Sequence, residues 1–279
     1  TSGAWAINGI TNTYLQTNTL AFSAIENLIG GSGADTFAFA NGATLENGNG
    51  TLNGGGGTDV IDYAAYLVGV IVNLATGSAT GTNGISNIEN VIGGAGADDI
   101  TSDSNANTLT GNAGNDIFRF LSGWGADIVN ELASGGADTI NFSSLSVALT
   151  FAFGVAGVTV SNGANTLTIN STDVENFIGG SSDDQFTFND GASISGSIDS
   201  AGGSDTLDYS PYTSARTITL TANGGVDGFA GSASGVGGTF DNINIIVGGA
   251  GSDTLNGPDN GGAWNFGAAT TFTSGGQTL

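Results

Sequence analysis

The sequence predicts an all-β fold, a parallel β-roll or β-solenoid with glycine-rich turns. Three observations carry the prediction. Glycine is 50 of 279 residues without a collagen-like period of three. A glycine turn, an acid and one apolar residue two positions later recur along the chain. No stretch carries a convincing helical pattern, because glycines and β-branched residues interrupt every candidate, "SAIENLI" (23–29) included.

The turn motif can be written G-G-x-G-x-D-x-(apolar)-x. It fits residues 30–38, 54–62 and 93–101, with looser copies at 111–119, 122–130, 133–141, 179–187, 200–208 and 248–256. Its acid position holds Asp35, Asp59, Asp98, Asp116, Asp127, Asp138, Asp184, Asp205 and Asp253, so 9 of the 25 acids occupy one repeated place. Two residues later stand Phe37, Ile61, Ile100, Phe118, Val129, Ile140, Phe186, Leu207 and Leu255, each expected in the core.

The register extends upstream to Glu26, Glu89 and Glu175, nine residues before Asp35, Asp98 and Asp184, and to Asn244 before Asp253. Glu89, Asp98, Asn107 and Asp116 form the longest unbroken run. Glycines at the turn, Gly93 and Gly111 among them, are expected to adopt positive φ that a Cβ would obstruct. The polar–apolar–polar triplet after each acid turns one side chain inward on a brief strand. Two such units make a coil of roughly 18–20 residues, with strands stacked about 4.8 Å apart. Asp98 should then lie against Asp116, and Glu89 against Asn107. At that coil length the chain makes about 12–15 coils and spans about 60–70 Å.

Other stretches, such as "VIVNLATGSATG" (70–81), "ALTFAFGVAGVTVSNGANTLTIN" (148–170) and "ARTITLTANGG" (215–225), read as alternating strands with Gly/Asn turns. The nonapeptides are therefore expected to form one edge of a longer-turned solenoid.

Larger repeats organise the chain as a single elongated unit, 1–279. "IENLIGGSGADTF" (25–37), "IENVIGGAGADDI" (88–100) and "VENFIGGSSDDQF" (174–186) are one unit written three times, with a weaker copy at 243–255. "GGGGTDVIDYAAY" (54–66) recurs as "AGGSDTLDYSPY" (201–212). The reading is an internal duplication, roughly 20–100 and 167–255, with an insert at roughly 101–145. Residues 261–279 align with 2–20, placing Trp264 on Trp5 at a period of 259. One end thus mimics the other, and end-to-end association of copies into a fibre is expected. The missing initiator Met fits a mature or excised segment.

Charge and composition narrow the chemistry. The chain has a formal charge of −23, no Lys, and only Arg119 and Arg216 as cations. That argues against nucleic acid or an anionic membrane as partner. No apolar run reaches membrane-span length. Cys, Met and His are absent, which removes disulfides, thiolate and imidazole metal sites, and thiol or histidine catalysis. Carboxylates, amides and backbone carbonyls suit hard cations such as Ca²⁺. Stacked carboxylates repel unless a cation lies between them. The expected ligand set is the nine aspartates above with Asn107 and the turns at Gly93 and Gly111; Asp173 and Asp227, outside the register, serve as comparison acids. Solvated Asx turns without metal are the alternative.

These residues, notably "GGSGADTFA", "GGGGTDVID", "GGAGADDIT" and "GGAGSDTLN", resemble the RTX, or hemolysin-type, calcium-binding nonapeptide family of secreted bacterial proteins. The resemblance implies a parallel β-roll, Ca²⁺ held between turns by the sixth-position Asp and turn carbonyls, export in an unfolded state, and folding outside the cell. The longer units are similar to those of giant tandem-repeat extracellular proteins and adhesins. Spacing departs from the family pattern: intervals between motif aspartates run 24, 39, 18, 11, 11, 46, 21 and 48.

The functional expectation is a secreted, calcium-stiffened structural protein of an extracellular filament, stalk or surface layer. An adhesin scaffold with carbohydrate or another surface ligand is the alternative, for which Tyr63, Tyr66, Tyr209 and Tyr212 would be a platform. Enzymatic activity is not expected, since the neighbouring acids Asp98–Asp99 and Asp183–Asp184 point to opposite faces of a strand.

Overall fold

The structure is a computed structural model, and it describes residues 2–8, 12–15, 19–131, 135–171, 173–258, 262–266, 270–274 and 277–278. Nearly all regular structure is strand; the helical exception among described residues is a single 3₁₀ turn, Leu45–Gly48. The chain forms two compact units, 1–138 and 139–279.

In the first unit, strands of three to five residues stack in parallel. One stack contains Asp35–Phe39, Val60–Asp62, Asn90–Ile92, Thr108–Thr110 and Ala126–Asn130. A second contains Ile71–Asn73, Asp99–Thr101 and Ile117–Arg119. A third, smaller sheet joins Asn27–Ile29, Thr51–Asn53 and Gly84–Ser86. The triplet pattern sets the burial. Its middle residue faces inward, so Phe37, Ile61, Val91, Leu109 and Val129 form one fully buried column and Val72, Ile100 and Phe118 another. Each such side chain contributes about 1.5–3 kcal/mol by leaving water.

The unbroken register behaves as expected. Asp99 pairs with Ile117 and Asn90 with Thr108, so the coil there is 18 residues. At most other steps the coil is longer than the expected 18–20. Equivalent positions are 24, 30, 20, 28 and 22 residues apart at other steps of this unit. The extra residues leave the stack as tight turns or short hairpins, such as Ile71–Asn73 with Ser78–Ala79. A uniform 20-residue coil, and the coil count built on it, therefore do not describe this chain.

At the start of the unit, Gly3–Ile7 lies parallel on Asp35–Phe39, with Trp5 opposite Phe37 and the two rings 5.7 Å apart. The chain then returns antiparallel through Asn12–Leu15 and Thr19–Phe22.

The second unit uses the same plan with larger excursions. Thr150–Gly154, Gln185–Phe188 and Asp205–Asp208 stack in parallel, as do Thr139–Asn141, Asn176–Ile178 and Ile198–Asp199. The long strand Phe240–Val247 closes both stacks, with a register shift at Asp205/Thr206. Antiparallel insertions leave the coil: Thr150–Gly154 turns into Gly157–Ser161 and Thr166–Ile169, and Thr217–Asn223 into Phe229–Ala233. Phenylalanine fills the core. Phe151 stacks on Phe186 and Phe153 on Phe188, each pair at 4.4 Å. The last motif is less enclosed, with Leu255 half-buried. Ala263–Phe266, Thr270–Ser274 and Gln277–Thr278 form a three-stranded antiparallel sheet, the same strand arrangement as the aligned residues at the start of the chain. Trp264's side chain lies outside the described residues.

The four tyrosines of the repeated D-Y-x-x-Y segment are buried. Tyr66 Oη donates to the Ala43 carbonyl and Tyr212 Oη to that of Ala192. They pack between coils and form no exposed platform.

Candidate functional site

Each motif acid lies at the start of its short strand: Asp59, Asp98, Asp116, Asp138, Asp184 and Asp253 stand one residue before it, Asp35 and Asp205 open it, and Asp127 is its second residue. There its own N–H points along the stacking direction, where a backbone acceptor is missing. The carboxylate of the next coil fills that gap. Asp35 N–H donates to Asp59 Oδ1 at 2.7 Å, Asp59 N–H to Glu89 Oε2 at 2.8 Å, and Asn107 N–H to Asp127 Oδ1 at 2.9 Å. On the second stack Val70 N–H donates to Asp98 Oδ1, Asp98 N–H to Asp116 Oδ1, and Asp116 N–H to Asp138 Oδ1, at 2.7, 2.7 and 2.8 Å. The first unit thus carries two acid ladders rather than the single edge expected.

The second unit repeats the device. Leu149 N–H donates to Asp184 Oδ1, Asp184 N–H to Asp205 Oδ1, and Asp205 N–H to Asn244 Oδ1. Arg216 N–H donates to Asp253 Oδ1. Each ladder acid reaches back toward the preceding coil. Val70, Leu149 and Arg216 thus donate into a ladder without being acidic, their N–H groups received by Asp98, Asp184 and Asp253.

The second carboxylate oxygen divides the aspartates into two classes. At Asp35, Asp98, Asp184 and Asp253 it accepts the N–H of the glycine four residues earlier, Gly31, Gly94, Gly180 and Gly249, at 2.6–2.7 Å. The rungs of Asp98, Asp184 and Asp253 are thereby closed, whereas Asp35 keeps its Oδ1 buried without a partner. At Asp59, Asp116, Asp127 and Asp205 the Oδ2 atom is buried without a hydrogen-bond partner. These rungs are open.

Backbone conformation accounts for the split. All four open turns have positive φ both four and two residues before the acid: Gly55 and Gly57, Asn112 and Gly114, Gly123 and Gly125, Ala201 and Gly203. No closed turn does. Positive φ rotates the peptide so that its N–H leaves the carboxylate. Gly55 N–H goes instead to Asn53 Oδ1 and Ala201 N–H to Asp199 Oδ1. The Ser102 and Ser200 hydroxyls lie near Asp127 and Asp205 but do not close those rungs: Ser102 Oγ is itself buried and unpartnered, and Ser200 Oγ lies in hydrogen-bond range of the Asp241 carbonyl.

Gly93 and Gly111 correct the expectation about glycine. Neither has left-handed φ. They are needed for close approach: a Cβ on Gly93 would stand 2.1 Å from Asp98 Oδ2 and 2.7 Å from the Gly111 carbonyl, and one on Gly111 would stand 2.2 Å from Asp116 Oδ2.

Several acids behave as sequence spacing does not reveal. Glu89 takes a ladder place through its longer side chain, whereas Glu26 is exposed. Glu131 Oε1 accepts Gly111 N–H at 2.5 Å and is buried, although it lies outside the motif. Asn107 uses both ends of its amide, receiving Asp103 N–H and donating to the Glu89 carbonyl.

Burial is the leading electrostatic effect. It pushes Asp116 and Asp205 up to about 6, and Asp127 and Asp184 to about 7. Asp59 and Asp98 are raised for the same reason. Two cations do little to offset this. Arg119 pairs with Asp99 at 2.7 Å on the surface, and Arg216 lies over the Tyr212 ring.

A divalent cation fits the open rungs, where a buried carboxylate oxygen has no donor. Closed rungs fit less well, since N–H groups engage both oxygens of Asp98, Asp184 and Asp253. Among the described residues no group of three or more acids converges on one point. Any cation would therefore draw most of its oxygens from backbone carbonyls, as hard cations accept. No family model matches the chain, and no curated protein matches it either.

Proposed function

We propose that this chain is a calcium-stiffened β-solenoid serving as a structural repeat of an extracellular filament, stalk or surface layer. The supporting observation is the set of open rungs: Asp59, Asp116, Asp127 and Asp205 each hold a buried oxygen with no hydrogen-bond donor. Unpaired buried carboxylates are costly, and the chain's −23 charge raises that cost. A bound Ca²⁺ would supply positive charge between coils. The chain's own contribution is to hold the carboxylates in register through the ladder N–H groups.

A scaffold role is supported by what the polar residues do. They accept backbone N–H groups and shape turns, and the aromatic residues pack the core. End-to-end association remains part of the reading, because the aligned terminal segments form the same antiparallel strand arrangement and solenoid ends offer open strand edges.

The test is thermal unfolding with calcium and with chelator, on wild type and on the variant Asp59→Asn/Asp116→Asn/Asp127→Asn/Asp205→Asn. Asparagine keeps the ladder acceptor and removes the charge. Calcium should raise the wild-type midpoint and leave the variant nearly unmoved. An equal rise in both, or none in wild type, would defeat the proposal.

A further inference from the structure

The strand beyond Asp205 lacks a glycine turn. At 239–244 the sequence is TFDNIN, with Asn244 in the ladder place. The gap is occupied by the tip of the hairpin between Thr217–Asn223 and Phe229–Ala233. Asn242, fully buried with φ of 65°, ties that tip down. Its Oδ1 accepts the N–H groups of Val226 and Asp227 at 2.7 and 3.3 Å, and its Nδ2 donates to Asp199 Oδ1 at 2.7 Å. Asp227 is thereby held against the turn that precedes Asp205. Its Oδ2 accepts Gly203 N–H at 3.3 Å, two residues before Asp205, and its Oδ1 is buried without a partner. Asp205 itself is fully buried with Oδ2 unpartnered. Two carboxylates, each with one orphaned oxygen, therefore meet at one turn, and neither chain position is the nonapeptide neighbour of the other.

We infer that Asp205 and Asp227 together hold one divalent cation, with the hairpin acid standing in for the missing turn of the next coil. This rests on the cation reading of the open rungs and adds a ligand from outside the repeat. It also removes Asp227 from the comparison acids, a role its sequence position suggested. Donors are two carboxylates and turn carbonyls, a set that suits calcium.

The experiment counts calcium ions per full chain by native mass spectrometry, after equilibration with calcium chloride alone. Asp227→Asn keeps the acceptor for Gly203 N–H and should bind one ion fewer than wild type. Asp205→Asn should lose the same single ion, and the double variant should lose one, not two. Asp190→Asn, an exposed acid bonded to Thr213, should match wild type. Circular dichroism confirms that each variant is folded, and if Asp227→Asn is not, Asp227→Ser replaces it with the same expected count. An unchanged count in the Asp227 variant, or two ions lost in the double variant, overturns the inference. A wild type that binds no calcium defeats the underlying cation reading instead.

Discussion

The main-chain N–H of Asp98 donates to Asp116 Oδ1 at 2.7 Å across 18 residues of sequence. The same carboxylate leaves its other oxygen buried and unpaired. One side chain thus serves the fold with one atom and leaves the other available. Asp116→Ala should cost about 1–3 kcal/mol, because Asp98 N–H loses its buried acceptor. Asp116→Asn should cost much less without calcium, since the amide oxygen still accepts. Chemical denaturation with chelator present checks the order, and equal losses would contradict the ladder role.

The raised carboxylates set a pH dependence for the metal-free protein. In the unfolded chain these aspartates ionise near 4. In the folded chain Asp116 and Asp205 ionise near 6, and Asp127 and Asp184 near 7. Between those values the folded state holds more protons, so ionisation favours unfolding. Stability should therefore fall as pH rises from about 4 to about 7, with chelator present. Melting curves across that range test it; a midpoint that climbs with pH would be inconsistent with the buried ladders.

Glycine substitutions separate close approach from backbone strain. Gly93→Ala places a methyl 2.1 Å from Asp98 Oδ2 without any unfavourable φ. Gly42→Ala meets nothing within 4 Å but has φ of 68°. The second should cost about 1 kcal/mol from conformational strain. The first should cost clearly more, by displacing the carboxylate that receives Val70 N–H. Denaturant midpoints of the two variants rank them.

Core packing gives a further contrast. Phe186 is fully buried and stacks on Phe151 at 4.4 Å. Phe186→Ala should cost about 3–5 kcal/mol. Leu255→Ala, at the same motif position but half-buried, should cost less than the 2–5 kcal/mol typical of a core leucine. Equal losses would mean that the last motif is as enclosed as the others.

The sequence alone determined the local rule: a glycine turn, an acid, then one inward apolar residue. That rule is a matter of nearest neighbours, since alternation on a strand and the small size of glycine act over a few residues. It located Phe37, Ile100, Phe118 and Phe186 in the core and placed Asp98 against Asp116 wherever the nine-residue beat was unbroken. Tertiary structure decided what lies between the beats. Coils of 18 or 39 residues both close, because a hairpin can leave the stack and return without disturbing the paired strands. It also decided which aspartates keep a free oxygen, since turns with similar sequences differ in the φ of two residues. Asp227 and Glu131 reach the ladders from outside the motif, and only the folded backbone brings them there. The physical reason is range: turn chemistry is written residue by residue, whereas a carboxylate's partners belong to the coil above or below it.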